Sequence, residues 1–113
     1  MDRPLSTIRW HGDTLEQIRG FPDSARQDVG YQLERVQQGL EPRDWKPMSV
    51  VGPGVVEIRV HAQNEYRVLY LARRNDVVHV LHAFVKKTRQ TRKADIEMAR
   101  KRFRELSQPG GVK

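Results

Sequence analysis

The sequence contains no cysteine, few aromatic residues and no long apolar run. The absence of Cys excludes a disulfide framework and a thiolate zinc site. No apolar stretch approaches the roughly 18 residues that a transmembrane helix needs. The first ten residues, MDRPLSTIRW, lack the apolar core of a signal peptide. We therefore expect a cytoplasmic protein without a membrane anchor.

Motifs of the common enzyme classes are also missing. The four His residues have no HxxxH-type spacing, and neither a GxSxG motif nor a phosphate-cradling glycine loop occurs. We expect neither a metal site nor a cofactor. The chain has 113 residues, of which 37% are hydrophobic and 31% charged. This predicts one domain over residues 1–107, followed by a flexible tail at residues 108–113.

Positive charge is concentrated near the end of the chain. Residues 85–104 contain nine Lys or Arg against two Asp or Glu, which is the whole net charge of +7. The remaining residues are therefore balanced. Such a local excess is typical of a surface that binds a polyanion, most often nucleic acid. The alternative is an ordinary solvated basic helix face.

The order of periodic segments predicts an α+β domain. Alternation and turn residues predict short strands that are joined by hairpins into an antiparallel meander. Apolar spacings of three and four predict helices that cover the sheet. The predicted segments are a strand at Leu5–Trp10, a helix at 14–19, a helix from Pro22 with the stripe Ala25, Val29, Leu33, Val36 and Leu40, a loop at 41–53, strands at Val55–His61, Glu65–Leu71 and Val77–Ala83, and a helix after Thr91 with Ile96, Ala99, Phe103 and Leu106.

Several polar residues of the predicted sheet are suited to RNA cleavage without a metal. In that reaction the 2′-OH loses a proton, attacks the neighbouring phosphate and expels the 5′-oxygen. His, Glu or Lys can move the protons, and Arg and Lys can stabilise the charge that develops on the phosphate. An aromatic ring can stack on a splayed base. The candidate residues are Glu57, Arg59, Arg67, His82, Lys86 and Lys87, with Phe84 or Tyr66 as the stacking ring.

Each of these residues also has a purely structural interpretation. Glu57 and Arg59 can be salt-bridge partners on a strand. A lone His such as His82 is often a hydrogen-bonded core residue, and Phe84 can belong to the core as well. Taken alone, the residues indicate a basic α+β domain that binds nucleic acid.

Four sequence blocks resemble the phage-derived branch of the RelE/HigB toxin superfamily. They are VVEIRV at 55–60, EYRVLYL at 65–71, VLHAFVKKTRQT at 80–91 and KADIEMARKR at 93–102. The resemblance extends over residues 5–106. Arg92 is a departure, because such sequences often have Pro at the start of this helix.

The resemblance implies a fold and a function. The fold would be RelE-like, a twisted antiparallel sheet of about four strands with two N-terminal helices on one face and a C-terminal helix. The protein would be the toxin of a type II toxin–antitoxin pair that cuts mRNA in the ribosomal A site. Its partners would be the ribosome, mRNA and a small helix-turn-helix antitoxin.

The resemblance also implies roles for particular residues. Arg59 and Arg67 would hold the scissile phosphate, His82 or Lys86 would handle protons, and Glu57 would orient Arg59 or act as the base. Contacts with RNA or the ribosome would come from Phe84 and from the basic residues of the last segment, namely Lys87, Arg89, Arg92, Lys93, Arg100, Lys101 and Arg104.

Two other functions are compatible with the same fold. One is a ParE-like inhibitor of DNA gyrase that cuts no RNA, although ParE-like proteins lack the His- and Lys-rich block at 82–87. The other is an inactive domain that keeps only a basic, nucleic-acid-binding surface.

Overall fold

A mixed five-stranded sheet organises the chain in the computed structural model, which describes residues 5–72 and 76–107. The elements are β1 (Thr7–Trp10), α1 (Thr14–Arg19), α2 (Asp23–Gln37), β2 (Trp45–Pro47), β3 (Val56–Ala62), β4 (Asn64–Ala72), β5 (Val77–Lys86) and α3 (Lys93–Ser107). The strand order is β1-β5-β4-β3-β2. The predicted α+β class and the predicted meander of β3, β4 and β5 are confirmed.

The sheet differs from the prediction at both edges. β1 pairs with β5 in parallel, so the sheet is mixed rather than antiparallel. A parallel neighbour is possible here because a long connection, with two helices, separates β1 from the rest of the sheet. At the other edge, Trp45–Pro47 forms a three-residue strand inside the predicted loop. That segment is too short to show a periodicity, and its Pro is tolerated because the strand is at an edge.

Helices α1 and α2 cover one face of the sheet. The predicted stripe of Ala25, Val29, Leu33 and Val36 is buried against alternate residues of β3, β4 and β5. Leu40 does not belong to it, because α2 ends at Gln37 and Leu40 is 49% exposed. Gly39 lies just after the end of the helix. It has a φ of +85°, and the N–H of Leu40 donates to the carbonyl of Arg35.

Helix α3 covers part of the opposite face. Its predicted seam of Ile96, Ala99, Phe103 and Leu106 packs against a second core cluster formed by Met48, Val51, Val55, Leu69, Leu71, Leu81 and Phe84. The helix begins at Lys93, so Arg92 rather than Thr91 precedes it. None of the helices in the described ranges is long and apolar enough to cross a membrane. The predicted tail at 108–113 lies outside the described residues.

A bulge in the β4–β5 pairing adapts the sheet to α3. Leu69 lies opposite His82, whereas Tyr70 lies opposite Val80, so Leu81 is an extra residue. A bulged residue falls out of the regular ladder of hydrogen bonds. The carbonyl of Leu81 accepts a hydrogen bond of 2.9 Å from Nη1 of Arg102 in α3, and Nη2 of Arg102 contacts Asp13 at 3.1 Å.

Two glycines test how closely α3 is docked. A Cβ at Gly52 would lie 2.6 Å from the ring of Phe103, whereas a Cβ at Gly30, on the exposed side of α2, would meet nothing within 4 Å. We expect Gly52→Ala to destabilise the protein by about 1–3 kcal/mol and to lower hydrogen-exchange protection of α3 most. Gly30→Ala, the matched control, should stabilise by about 0.5–1 kcal/mol. Full protection of α3 in Gly52→Ala would contradict this docking.

Candidate active site

An open cationic pocket lies on the α3 side of the sheet, beside the first turn of that helix. Its volume is about 380 Å³. Its lining residues come from four strands of the sheet, the residue after β2, the loop before α3 and the helix itself, and they are Lys46, Met48, Glu57, Arg59, Arg67, Lys86, Arg89, Gln90, Thr91 and Ile96. Four of the five residues predicted to be catalytic, and Arg89 of the predicted RNA-binding set, therefore meet at one place.

Strand geometry explains why these side chains converge. Residues two apart on a strand point to the same face, so Glu57 and Arg59 of β3 lie side by side. Arg59 is directly opposite Arg67 of β4, and Lys46 of β2 is directly opposite Glu57. β5 extends beyond its predicted end at Ala83 to Lys86, which brings that lysine to the same face.

Glu57 is the carboxylate around which the cations are grouped. It is 1% exposed. Its Oε1 lies 3.7 Å from Nε of Arg67 and 3.9 Å from both Nε of Arg59 and Nζ of Lys46. These distances are too long for hydrogen bonds, which are normally about 2.7–3.2 Å. The carboxylate therefore compensates the positive charge of the three cations without forming hydrogen bonds with their N–H groups.

Three buried polar atoms of this group lack a hydrogen-bond partner among the described residues. They are Oε2 of Glu57, Nε of Arg59 and Nε of Arg67. More than about 90% of buried polar groups in proteins are hydrogen-bonded, so such a cluster needs an explanation. Two unpaired arginine N–H groups beside an open pocket are suited to the oxygens of a phosphate.

Arg67 is held in place by groups outside the pocket. Its Nη1 donates to Oε1 of Glu65 at 3.1 Å and to the carbonyl of Tyr66 at 3.0 Å. The side chain is 5% exposed. These two bonds anchor one end of the guanidinium and leave its Nε facing Glu57 and the pocket.

Lys86 organises the loop that forms one wall of the pocket. Its Nζ donates to the carbonyls of Thr88 at 3.0 Å and Arg89 at 2.6 Å. An ammonium group has three N–H donors, so one remains available. Lys86 thus combines a structural role in the loop with a position at the pocket.

His82, the fifth predicted catalytic residue, does not line the pocket. It lies beneath α3, where its Nε2 is 2.8 Å from Oδ1 of Asp95 and its Nδ1 is 3.5 Å from Nη1 of Arg102. Its side chain is 12% exposed. In this conformation His82 connects the sheet to α3 and is not positioned to reach a substrate in the pocket.

Phe84 is placed in the core rather than at an RNA-binding surface. It is 7% exposed, packs under α3, and its ring stacks on that of His82 with centroids 5.1 Å apart. It is therefore not available to stack on a base here. The reason is the apolar seam of α3, which covers this part of the sheet.

The other predicted RNA-binding residues are all exposed. They form a basic surface on the loop after β5 and on the outer side of α3, made of Lys87, Arg89, Arg92, Lys93, Arg100, Lys101 and Arg104. Arg102 was not among them, and it is partly buried because it anchors the helix.

Sequence reasoning missed several residues around the pocket. Lys46 belongs to it through the β2–β3 pairing, which no sequence pattern indicates. Gln32 of α2 is completely buried and hydrogen-bonds the carbonyl of Arg59 and the N–H of Asp44, so it fixes the backbone beside the pocket. His61 continues the alternation of Glu57 and Arg59 along β3, and that signal was available in the sequence. Within residues 5–72 and 76–107, no group of three potential ligands could hold a metal ion.

Comparison with known proteins agrees with this architecture. A mutant of the E. coli toxin RelE, solved in the free state, superposes with a TM-score of 0.58. The match covers 82% of this chain and 96% of that chain at 16% sequence identity. The fold is therefore that of RelE, an α+β fold with a C-terminal helix, as the resemblance implied.

The family is identified by sequence. Residues 16–104 match the family model described as Phage derived protein Gp49-like (DUF891), and the chain belongs to this family. The predicted phage-derived family and the predicted RelE-like fold are confirmed. No curated protein matches the sequence.

The charge balance around Glu57 can be tested by stability measurements. We expect Glu57→Gln to lower the free energy of unfolding by about 3 kcal/mol, because Arg59, Arg67 and Lys46 lose the buried negative charge between them. Millimolar phosphate should restore more stability in this variant than in the wild type. The control Arg59→Gln removes a partner whose side chain is 37% exposed, and it should cost less than about 1 kcal/mol. Wild-type stability of Glu57→Gln would contradict the role of this carboxylate.

Proposed function

We propose that this protein is the toxin of a type II toxin–antitoxin pair and that it cleaves mRNA at the ribosome. The observation that supports this most strongly is the pocket itself, where the unpaired Nε groups of Arg59 and Arg67 adjoin a buried carboxylate and Lys86. Membership in the Gp49-like family and the RelE fold support the same function.

The proposed reaction needs no metal ion. A base removes the proton of the 2′-OH, the 2′-oxygen attacks the adjacent phosphorus, and the bond to the 5′-oxygen breaks as that oxygen is protonated. The products are a 2′,3′-cyclic phosphate and a 5′-hydroxyl. Arg59 and Arg67 would bind the non-bridging oxygens, where fixed donors stabilise the negative charge that develops in the transition state.

In this proposal, two further ionisable groups of the pocket, Glu57 and Lys86, transfer the protons. Glu57 would accept the proton of the 2′-OH, because it lines the pocket and its Oε2 has no hydrogen-bond partner among the described residues. Lys86 would donate a proton to the leaving 5′-oxygen, using the N–H that its loop contacts leave available. His82 would support catalysis through α3 rather than by touching the substrate.

The basic surface supports a role for ribosomal RNA in docking. Its seven exposed cations lie on the loop after β5 and on α3, beside the pocket. Lys and Arg contacts with phosphates give binding that does not depend on sequence and that weakens with added salt. The ribosome would thus present the mRNA to the pocket. A helix-turn-helix antitoxin is the proposed partner in the inhibited state.

The proposed activity predicts cleavage within translated frames. A short induction of the wild-type protein should create new mRNA 5′ ends in coding regions, and blocking translation should abolish them. Arg67→Lys keeps the charge but loses the bidentate geometry, and we expect at least about a hundredfold less cleavage. Arg59→Gln is the companion variant. Because Arg59 is more exposed than Arg67, this variant removes a proposed phosphate ligand and leaves the fold intact. Growth arrest with intact mRNA and DNA damage would favour gyrase inhibition, and normal growth would favour an inactive binding domain.

The role of His82 is tested by comparing both partners of its contact with α3. If His82 acts only by holding the helix, His82→Gln and Asp95→Asn should reduce cleavage equally, and the double variant should be no worse than either. Both should also lower hydrogen-exchange protection of α3. A much larger loss of cleavage in His82→Gln, with α3 equally protected in the two variants, would indicate that His82 takes part in proton transfer.

A further inference from the structure

A chain of charged side chains lies beside the pocket and ends on Arg67. Nε2 of His61 is 2.8 Å from Oδ2 of Asp44, and Nδ1 of His61 is 2.7 Å from Oε1 of Glu65. Oε1 of Glu65 is in turn 3.1 Å from Nη1 of Arg67. His61 and Glu65 are paired directly across β3 and β4, next to the pair formed by Arg59 and Arg67.

We propose that His61 and Glu65 position Arg67 for phosphate binding, and that this positioning requires His61 to be protonated. Glu65 and the carbonyl of Tyr66 are the two described hydrogen-bond acceptors of Arg67. Glu57 is 3.7 Å away and does not orient it by a hydrogen bond. The direction in which Nε of Arg67 points therefore depends on where Glu65 is held, and His61 holds Glu65.

The geometry around His61 specifies its charge state. Carboxylates only accept hydrogen bonds when ionised, so contacts with Asp44 and Glu65 on both ring nitrogens require two N–H donors, which only the imidazolium has. Consistent with this, the hydrogen bond to Glu65, followed by that to Asp44, raises the pKa of His61 above its usual value. The hydrogen bond from His61 likewise lowers the pKa of Glu65.

These shifts define the pH range in which the chain of contacts is complete. Below the lowered pKa of Glu65 its carboxylate is protonated, and above the raised pKa of His61 the ring loses a donor. A neutral ring would direct a lone pair at one of the two carboxylates, so one contact opens. The charged groups around His61 are Asp44 before β2, Glu65 on β4 and Arg59 on β3, with Arg67 beside Glu65 and Lys86 opposite it in the β4–β5 register.

The same contacts contribute little to stability. The side chains of His61 and Glu65 are 55% and 44% exposed, and exposed ion pairs are weak because water and salt screen them. Whatever stability they add is present between the lowered pKa of Glu65 and the raised pKa of His61, and it is lost as the pH rises through the folded pKa of His61. A change in the orientation of Arg67 without a change in the free energy of unfolding therefore distinguishes positioning from a structural role.

The positioning is tested first without RNA, by NMR of the purified protein. The signals of the His61 ring and of the Nε–H group of Arg67 are followed against pH. We expect the Arg67 signal to shift with the midpoint of His61, and this shift to be absent in His61→Asn. Asp44→Asn, which removes one carboxylate but keeps the contact to Glu65, should lower the midpoint of both signals. An Arg67 signal that does not shift as His61 ionises would overturn the proposal.

The effect on cleavage rests on the proposed function and is measured separately, as the pH profile of cleavage on programmed ribosomes. The wild-type rate should fall roughly tenfold as pH rises through the pKa of His61, less than the hundredfold that a 1 Å misplacement can cause. His61→Asn should have the low kcat at all pH values. Glu34→Gln, an exposed control on α2, should keep the pH profile of the wild type.

The two experiments fail in different ways. Coupled NMR signals without cleavage by any variant would reject the nuclease function and leave the positioning of Arg67 intact. Cleavage with an unchanged pH profile in His61→Asn would reject the catalytic importance of the positioning and leave the nuclease intact.

Discussion

The buried carboxylate of Glu57 is the group on which the candidate site depends. Arg59 and Arg67 lie directly opposite each other on β3 and β4, an arrangement of like charges that destabilises a sheet. Glu57 compensates both of them, and Lys46 as well, from 3.7–3.9 Å. Because it approaches without hydrogen-bonding them, the arginine donors stay available for an anion. One acidic residue thereby allows a cationic pocket to exist within a folded sheet.

Helix α3 divides the same face of the sheet into two parts. Its apolar seam closes the core over Leu81 and Phe84, while the polar residues of β3 and β4 remain open to a ligand. The helix also contributes exposed cations on its outer side. Core packing and the basic surface are thus properties of one amphipathic element, and a change in how α3 docks would affect both. His82 belongs to this docking contact through Asp95.

Much of the fold was predictable because its signals are local. The stripe from Ala25 to Val36 and the seam from Ile96 to Leu106 are helical periodicities, and Gly39 marks a helix end. The strand at Trp45–Pro47 was missed because three residues carry no periodicity, and the parallel pairing of β1 was missed because it joins distant segments. Of the site, Glu57, Arg59, Arg67 and Lys86 were predicted as a group, whereas the positions of His82 and Phe84 depend on α3.

The sequence by itself determined the three helices and the strands β1, β3, β4 and β5, the concentration of positive charge after residue 85 and the family motifs. These properties depend on side-chain spacing and composition along the chain. The tertiary structure decided which polar residues share a pocket. Lys46 reaches Glu57, and Asp44 reaches His61, only because β2 pairs with β3. Asp95 reaches His82 only when α3 docks on the sheet. Contacts between residues far apart in the sequence arise from folding, and no local pattern encodes them.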